Sequence, residues 1–166
     1  MDNVAIRLAT VDDVRSVVAI YESAKAYMRR SGNMKQWLNG YPGENEVRKD
    51  IADGNLYVGE DSERGAIEFV FAFILGVDPT YNEIDGAWLN NEPYGTVHRI
   101  ASAGRHGGAV ERCVEFCLKS VSNIRIDTHS DNAPMLAALG RAGFSRCGVI
   151  ICSDGTPREA FQLTAP

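Results

Sequence analysis

Hydrophobic positions recur with helical spacing in several parts of the chain. In the first of these segments they are Val11, Val14, Val17, Val18, Tyr21, Ala24 and Met28. This spacing places the side chains on one face of a helix, which Thr10 can cap and which we expect to end at Ser31–Gly32. The same pattern predicts helices at about 44–52, at 108–121, and from a cap at Asp131 or Asn132 to Gly143.

Shorter apolar or alternating runs predict strands. The longest, 66–77, is apolar on both faces, as is typical of a central strand. Other strands are expected at 4–9, 56–60, 96–101, 124–129, 147–152 and 159–163. The order β-α-α-β-β-β-α-β-α-β-β predicts one mixed α/β (α+β) domain spanning 1–166. Asp78 to Gly95 forms a long connection, and connections of this length are often functional.

Composition narrows the class of protein. The 166 residues are 45% hydrophobic and 23% charged, an ordinary globular balance. A net charge of -5 argues against nucleic acid as a partner and permits a cationic substrate. We find no apolar run of membrane-spanning length and no signal-peptide pattern, so we expect no membrane partner and a cytoplasmic protein.

The four cysteines are Cys113, Cys117, Cys147 and Cys152. Neither neighbouring pair has the CxxC spacing of common zinc sites, so we expect no metal. Buried thiols in a reducing compartment are the interpretation that this pattern favours.

The stretch "RHGGAV", which begins at Arg105, joins a predicted strand to a predicted helix. Free backbone N–H groups at such a junction can hold an anion, and glycine lets the anion approach closely. The turn lacks the GK[ST] ending of a nucleotide P-loop and the GxGxxG spacing of a dinucleotide site. From the residues alone, an anion site and a plain tight connection both remain open.

Three segments together resemble the GNAT superfamily of acyl-CoA-dependent N-acetyltransferases. They are "IRLATVDDVRSVVAIY", "RHGGAV" and "NAPMLAALGRAGF", in the family's order and spacing. The resemblance implies a largely antiparallel mixed sheet with helices on both faces, acetyl-CoA as acyl donor, and allows a homodimer. The sequence departs from the family pattern in two places: Val110 replaces a glycine or alanine, and a residue near Leu139 replaces a tyrosine that many members use as general acid.

The same resemblance implies a set of cofactor contacts. The backbone of Ile100, Ala101, Ser102 and Ala103 would pair with the pantetheine arm. The amides of His106, Gly107, Gly108, Ala109 and Val110 would hold the pyrophosphate, with Arg105 at its edge and Asn132 facing the cofactor.

Acetyl transfer needs a base that makes the acceptor amine neutral. His98 is the leading candidate: alternation along a strand puts it on the face of Ile100, and its place is similar to that of a strand histidine in arylalkylamine acetyltransferases. A structural histidine is the alternative. His129 is the rival base, since Arg125, Asp127 and His129 alternate onto one face, which also fits a plain polar cluster.

The acceptor pocket is expected, by resemblance, in the loop after the first helix and in the Asp78–Gly95 connection. These segments hold Trp37, Tyr41, Tyr81, Trp88 and Tyr94, which either line a pocket for a small amine or anchor their loops. Glu83 and Asp85 could bind its ammonium group or be merely solvated. Two other functions stay open: a non-catalytic acyl-CoA sensor on this fold, and an interaction module built on the aromatic connection.

Overall fold

The computed structural model describes residues 3–166. Its α-helices are α1 (Val14–Arg30), α2 (Glu44–Ala52), α3 (Ala109–Cys117) and α4 (Ala133–Arg141). Its strands are β1 (Val4–Leu8), β2 (Leu56–Asp61), β3 (Ala66–Leu75), β4 (Asp85–Gly86), β5 (Gly95–Ser102), β6 (Asn123–Thr128), β7 (Ser145–Ile151) and β8 (Pro157–Thr164). The strands form an eight-stranded sheet in the order β1-β2-β3-β5-β6-β8-β7-β4.

The predicted mixed α/β class and the largely antiparallel sheet are confirmed. Antiparallel pairing joins β1 to β2, β2 to β3, β6 to β8, β7 to β8 and β4 to β7, whereas β5 runs parallel to β6. Two details differ from the sequence expectation. The long connection contains the short strand β4, and α3 ends at Cys117 because the N–H groups of Lys119 and Ser120 bond to carbonyls three residues back.

By its internal contacts the described chain divides into two compact units. The first unit holds the described part of Met1–Phe73 together with Arg99–Ala109, and the second holds Ile74–His98 and Val110–Pro166. The strand β5 therefore contributes residues to both units. Within residues 3–166, no helix is both long enough and apolar enough to cross a bilayer.

In the first unit, α1 and α2 cover the strands β1 to β3. The helix α1 buries one stripe of side chains at helical spacing, as predicted, and Val47 of α2 is fully buried beside it. These residues pack on apolar side chains of β2 and β3, which are Leu56, Val58, Ile67, Val70 and Ala72. A short 3-10 turn precedes α1, and the Asp13 carboxylate there accepts the Thr10 N–H at 2.8 Å.

In the second unit, the long connection is fixed onto β6. The Arg125 guanidinium lies 4.1 Å from the centroid of the Trp88 ring and 4.0 Å from that of Tyr94. Its Nη2 donates to the carbonyl of Asn90 at 3.0 Å. A buried cation in contact with two rings gains cation–π stabilisation and holds two of the three aromatic residues of the connection against the sheet.

Buried amides add a second anchor to the connection. Gln162 of β8 accepts the Leu89 N–H at 3.1 Å through Oε1. Its Nε2 donates to Asn123 Oδ1 at 3.1 Å and to Asn90 Oδ1 at 3.2 Å. Because Gln162 is 0% exposed, each of these bonds is made away from water.

Replacing Gln162 with leucine keeps the side-chain volume but leaves the Leu89 N–H and the two asparagine oxygens without this partner. We expect the free energy of unfolding in urea to fall by about 1–3 kcal/mol, the cost of unpaired buried polar groups. Ser145→Ala, at the exposed position directly across the ladder, is the matched control and should change it by less than about 0.5 kcal/mol. Equal stability of the two variants would contradict the anchoring role.

Candidate active site

The glycine turn after β5 has backbone N–H groups without a hydrogen-bond partner among the described residues. Gly104 and Gly108 have φ values of 80° and 85°, in the left-handed region that favours glycine. A Cβ added at Gly107 or Gly108 would meet no atom within 4 Å. Among the described residues, no acceptor takes the backbone N–H groups of residues 105–108. The turn therefore has the geometry of an anion cradle.

Arg105 is tied down at the edge of this turn. Its Nε lies 3.1 Å from both carboxylate oxygens of Glu68, and its Nη2 donates to the Ile67 carbonyl at 2.8 Å. Glu68 is 1% exposed, whereas the Arg105 side chain is 46% exposed. The guanidinium is thus held in place by a buried acid while part of it faces solvent.

Potential metal ligands meet near the same turn. One ligand atom each of Asp61, Glu68 and His106 lie within 4.8 Å of one another. The Arg105 cation already takes both oxygens of Glu68. A divalent cation would have to displace that guanidinium, which disfavours a metal at this place.

Arg99, in the middle of β5, has a backbone that a strand does not normally adopt. Its φ is 51°, and its carbonyl accepts the Tyr21 hydroxyl at 2.9 Å. The guanidinium forms a two-point ion pair with Asp50, with Nε–Oδ2 and Nη2–Oδ1 distances of 2.8 and 2.9 Å, and donates to the Tyr41 hydroxyl at 2.9 Å. Sequence analysis singled out neither Arg99 nor Asp50.

The left-handed backbone at Arg99 changes the expected placement of His98 on the same strand face as Ile100. Alternation puts residues two apart on one face only where each intervening residue is extended. Arg99 is not extended, so simple alternation does not place His98 on the face of Ile100. As a candidate base, His98 is therefore judged by its own contacts in the second unit.

His98 is hydrogen-bonded to a half-buried carboxylate. Its Nε2 lies 2.8 Å from Oδ2 of Asp78. The other oxygen of Asp78 accepts the backbone N–H and the hydroxyl of Thr80, at 2.9 and 2.7 Å. The Asp78 N–H in turn donates to the Tyr94 hydroxyl at 2.8 Å. Burial alone would raise the pKa of Asp78, but the bonds from His98 and Thr80 outweigh it and bring the pKa to about 2.

Tyr81 lies beside this pair. Its hydroxyl donates to Asp127 Oδ2 at 2.6 Å, and its ring centroid is 6.3 Å from that of His98. Burial, followed by the negative charge of Asp127, raises the pKa of Tyr81 well above its ordinary value, so the hydroxyl stays a donor. Trp88 donates its indole N–H to the Tyr81 carbonyl at 2.9 Å, whereas Glu83 is exposed and outside this cluster of bonds.

His129 occupies a different environment. It follows the last residue of β6 and is 8% exposed. Its Nδ1 accepts the Asp131 N–H at 3.0 Å in the turn that leads to α4. One ring nitrogen is therefore used to form the turn. Asn132 caps α4, with its Oδ1 accepting the Met135 N–H at 3.3 Å.

The other aromatic candidates lie in the first unit. Trp37 packs edge-on against Tyr21, with ring centroids 5.5 Å apart, and its carbonyl accepts Arg29 Nη2 at 2.8 Å. Tyr41 is 38% exposed and binds Arg99. Trp37 thus anchors its loop, while Tyr41 presents its ring to solvent.

Solved structures of known proteins resemble the whole chain. An acetyltransferase of the GNAT family from Streptococcus agalactiae 2603 is 30% identical and superposes with a TM-score of 0.88, over 98% of this chain and 96% of that one. The chain belongs to the GNAT family of acetyltransferases. The resemblance inferred from the sequence motifs is confirmed.

Two more distant GNAT structures share the fold. A GNAT-family acetyltransferase from Listeria monocytogenes 4b F2365 is 19% identical, with a TM-score of 0.70 over 97% of this chain and 94% of that one. A GNAT phosphinothricin acetyltransferase from Sinorhizobium meliloti, in complex with AcCoA, is 14% identical, with a TM-score of 0.63 over 98% and 89%. No protein-family model and no curated protein matches the sequence.

Three of the four thiols of this GNAT protein have raised pKa values. Cys113, Cys117 and Cys147 are buried, as the sequence predicts, while Cys152 is half-buried. Burial raises the pKa of Cys113, Cys147 and Cys152. A raised pKa keeps the sulfur in the unreactive thiol form at neutral pH.

The Arg99–Asp50 pair offers a test of the strained strand. The two side chains are only 15% and 8% exposed, so Asp50→Ala leaves a buried cation without its counter-charge. We expect a loss of about 3–5 kcal/mol in the free energy of unfolding in urea. The control Tyr41→Phe removes only one acceptor of the same guanidinium and should cost about 0.5–1.5 kcal/mol. Similar losses in both variants would show that the ion pair does not hold the strand.

Proposed function

We propose that this GNAT protein transfers the acetyl group of acetyl-CoA to the primary amine of a small molecule by direct attack. The observation that carries the proposal is the glycine turn, whose N–H groups at 105–108 have no acceptor among the described residues. A Cβ added at Gly107 or Gly108 would meet no atom within 4 Å, so the turn has room for a ligand. A diphosphate is the anion that such a row of amides suits, and the S. meliloti relative is a complex with AcCoA.

The cofactor would bind chiefly through backbone. The amides from His106 to Val110 would hold the pyrophosphate, and the solvent-facing edge of Arg105 would add a charge-assisted bond. By the family resemblance, residues 100–103 would offer their backbone to the pantetheine arm, and Asn132 would face the cofactor. Val110 is buried, so only its amide would serve the phosphate.

The reaction we propose has one bond-forming step on the thioester. His98, directly or through one water, first takes a proton from the ammonium group of the acceptor. The neutral nitrogen then attacks the carbonyl carbon, the C–N bond forms, and the C–S bond breaks to release the CoA thiolate. The nitrogen loses its second proton to solvent, and solvent protonates the thiolate. Leu139 is fully buried near the position where many members carry a tyrosine acid, so no side-chain acid is assigned there.

The proposed acceptor is small and cationic in its resting form. In the first unit, exposed Tyr41 offers aromatic surface to such an acceptor. In the second unit, exposed Glu83 offers a carboxylate for an ammonium group. The net charge of -5 favours the approach of a cation. A covalent acetyl-cysteine is not part of this proposal, because the thiols with raised pKa values are poorly suited to attack.

Gly107→Val tests the phosphate cradle. A Cβ at Gly107 meets no protein atom within 4 Å, and the position needs no left-handed backbone, so we expect the fold to be unaffected. The isopropyl group would stand where the diphosphate binds, and we expect the Kd for acetyl-CoA, measured by calorimetry, to rise at least tenfold, or about 1.4 kcal/mol. Gly108→Val should weaken binding too, but its φ of 85° adds backbone strain.

Gly140→Val is the matched control for the cradle. Gly140 is exposed on α4, and a Cβ there also meets no atom within 4 Å. Its acetyl-CoA affinity should equal that of the wild type. Wild-type affinity in Gly107→Val would refute the placement of the pyrophosphate.

His98→Ala tests the proposed base, with CoA release measured over a panel of primary amines. We expect kcat to fall roughly 10²–10⁴-fold, the usual contribution of a positioned base, with little change in the KM for acetyl-CoA. The deficit should shrink at high pH, where more of the amine is neutral without help. His129→Ala should keep near-wild-type turnover, since its Nδ1 serves the turn before α4.

Two results would count against this account. A large loss in His129→Ala with a normal His98→Ala would transfer the role to His129. Binding of acetyl-CoA without CoA release for any amine would favour a non-catalytic acyl-CoA sensor on the same fold.

A further inference from the structure

We propose that Asp78 is a positioning residue that fixes the tautomer of His98, so that Nδ1 is the ring nitrogen that accepts the proton. This inference rests on the proposed function, in which His98 is the base. Asp78 itself would touch neither substrate nor cofactor.

The direction of the hydrogen bond sets the tautomer. An ionised carboxylate can only accept, so the Nε2 that lies 2.8 Å from Asp78 Oδ2 must carry the hydrogen. A neutral imidazole has one N–H, and the lone pair is then on Nδ1. Within residues 3–166, no side chain or backbone group is bonded to that Nδ1. The nitrogen with the lone pair is therefore the one left unengaged.

Two bonds hold the Asp78 carboxylate, and a third holds its backbone. Thr80 donates to Oδ1 through its backbone N–H at 2.9 Å and its hydroxyl at 2.7 Å, and Tyr94 binds the Asp78 N–H at 2.8 Å. Oδ2 is left for His98. The Tyr81 ring lies beside the imidazole, with its centroid 6.3 Å from that of His98. The orientation of the ring is thus set before any substrate arrives.

The two bonds from Thr80 fix the orientation of the amide group in the variant Asp78→Asn. Only the amide oxygen of asparagine can accept from Thr80, so the amide nitrogen must take the place of Oδ2 and face Nε2. A donor facing Nε2 requires a lone pair there and moves the hydrogen to Nδ1. The variant would keep the turn and the volume of the side chain but present the wrong tautomer. In the Ser-His-Asp proteases the corresponding change lowers kcat about 10⁴-fold.

The chain contains a matched control for this substitution. Asp154 forms the same type of turn, with its Oδ1 accepting the N–H and the hydroxyl of Thr156 at 2.9 and 2.5 Å. No histidine is bonded to it in the described chain. Asp154→Asn therefore makes the same chemical change in the same kind of turn without reaching His98.

The test reads the tautomer directly, by long-range ¹H–¹⁵N NMR of the His98 ring at a pH where imidazole is neutral. The wild type and Asp154→Asn should show the hydrogen on Nε2, and Asp78→Asn should show it on Nδ1. With a primary amine acceptor, kcat of Asp78→Asn should fall roughly 10²–10⁴-fold while the KM for acetyl-CoA stays near the wild-type value. Asp78→Glu, which restores a carboxylate, should recover part of the loss.

Three results would overturn the inference. They are a wild-type spectrum with the hydrogen on Nδ1, an unchanged tautomer in Asp78→Asn, and a kcat of Asp78→Asn no lower than that of Asp154→Asn. The wild-type spectrum decides the tautomer even if Asp78→Asn fails to fold. Normal turnover in His98→Ala would instead refute the proposed base, and the NMR result on Asp78 would stand apart from it.

Discussion

The left-handed backbone of Arg99 is the constraint on which the candidate site depends. A non-glycine residue in this region costs on the order of 1–3 kcal/mol and persists only where its surroundings fix it. Here the Tyr21 hydroxyl holds the carbonyl, and Asp50 holds the guanidinium at two points. Beyond Arg99, β5 continues to Ser102 and leads into the glycine turn, so the backbone proposed to bind the cofactor starts from a fixed, non-regular strand.

Two carboxylates hold basic side chains of the candidate site in place before any ligand binds. Glu68 holds Arg105, and Asp78 holds His98, so that neither polar side chain has to be ordered by a ligand. The pKa of Asp78, about 2, lies below the ordinary 3.8, and its contribution to stability is present above pH 3.8. That contribution is lost as the pH falls through about 2, well below the range in which an amine is acetylated. Asp78 therefore stays a carboxylate whenever His98 could act as a base.

Local patterns predicted the parts of this structure that local physics determines. The helical spacing from Val14 to Met28 and the apolar run of β3 predicted their elements, because burial of one or both faces imposes a period. Val11, at the start of the predicted stripe, is exposed and lies in the turn before α1. The turn after β5 was recognised because glycine supplies a backbone that other residues resist. The two-residue strand β4 was missed, since so short a segment shows no alternation.

The unpredicted features depend on contacts distant in sequence. His98 meets Asp78 across 20 positions, and Arg99 meets Asp50 across 49. In "VDPTY" an Asp followed by Pro and Thr signals a capped turn, but nothing in that stretch shows which histidine the free oxygen will bind. The amino-acid type of Arg99 does not predict its positive φ, because arginine rarely adopts such a backbone.

The central claim is that His98 deprotonates an amine that attacks acetyl-CoA directly. A crystal structure with a non-reactive acetyl-CoA analogue and an acceptor amine tests it most directly, through the position of the amine nitrogen. The account predicts that this nitrogen lies about 2.6–3.2 Å from His98 Nδ1, or is joined to it by one water. An amine nitrogen held only by another group such as Glu83, with Nδ1 of His98 turned away and not linked by water, would contradict it.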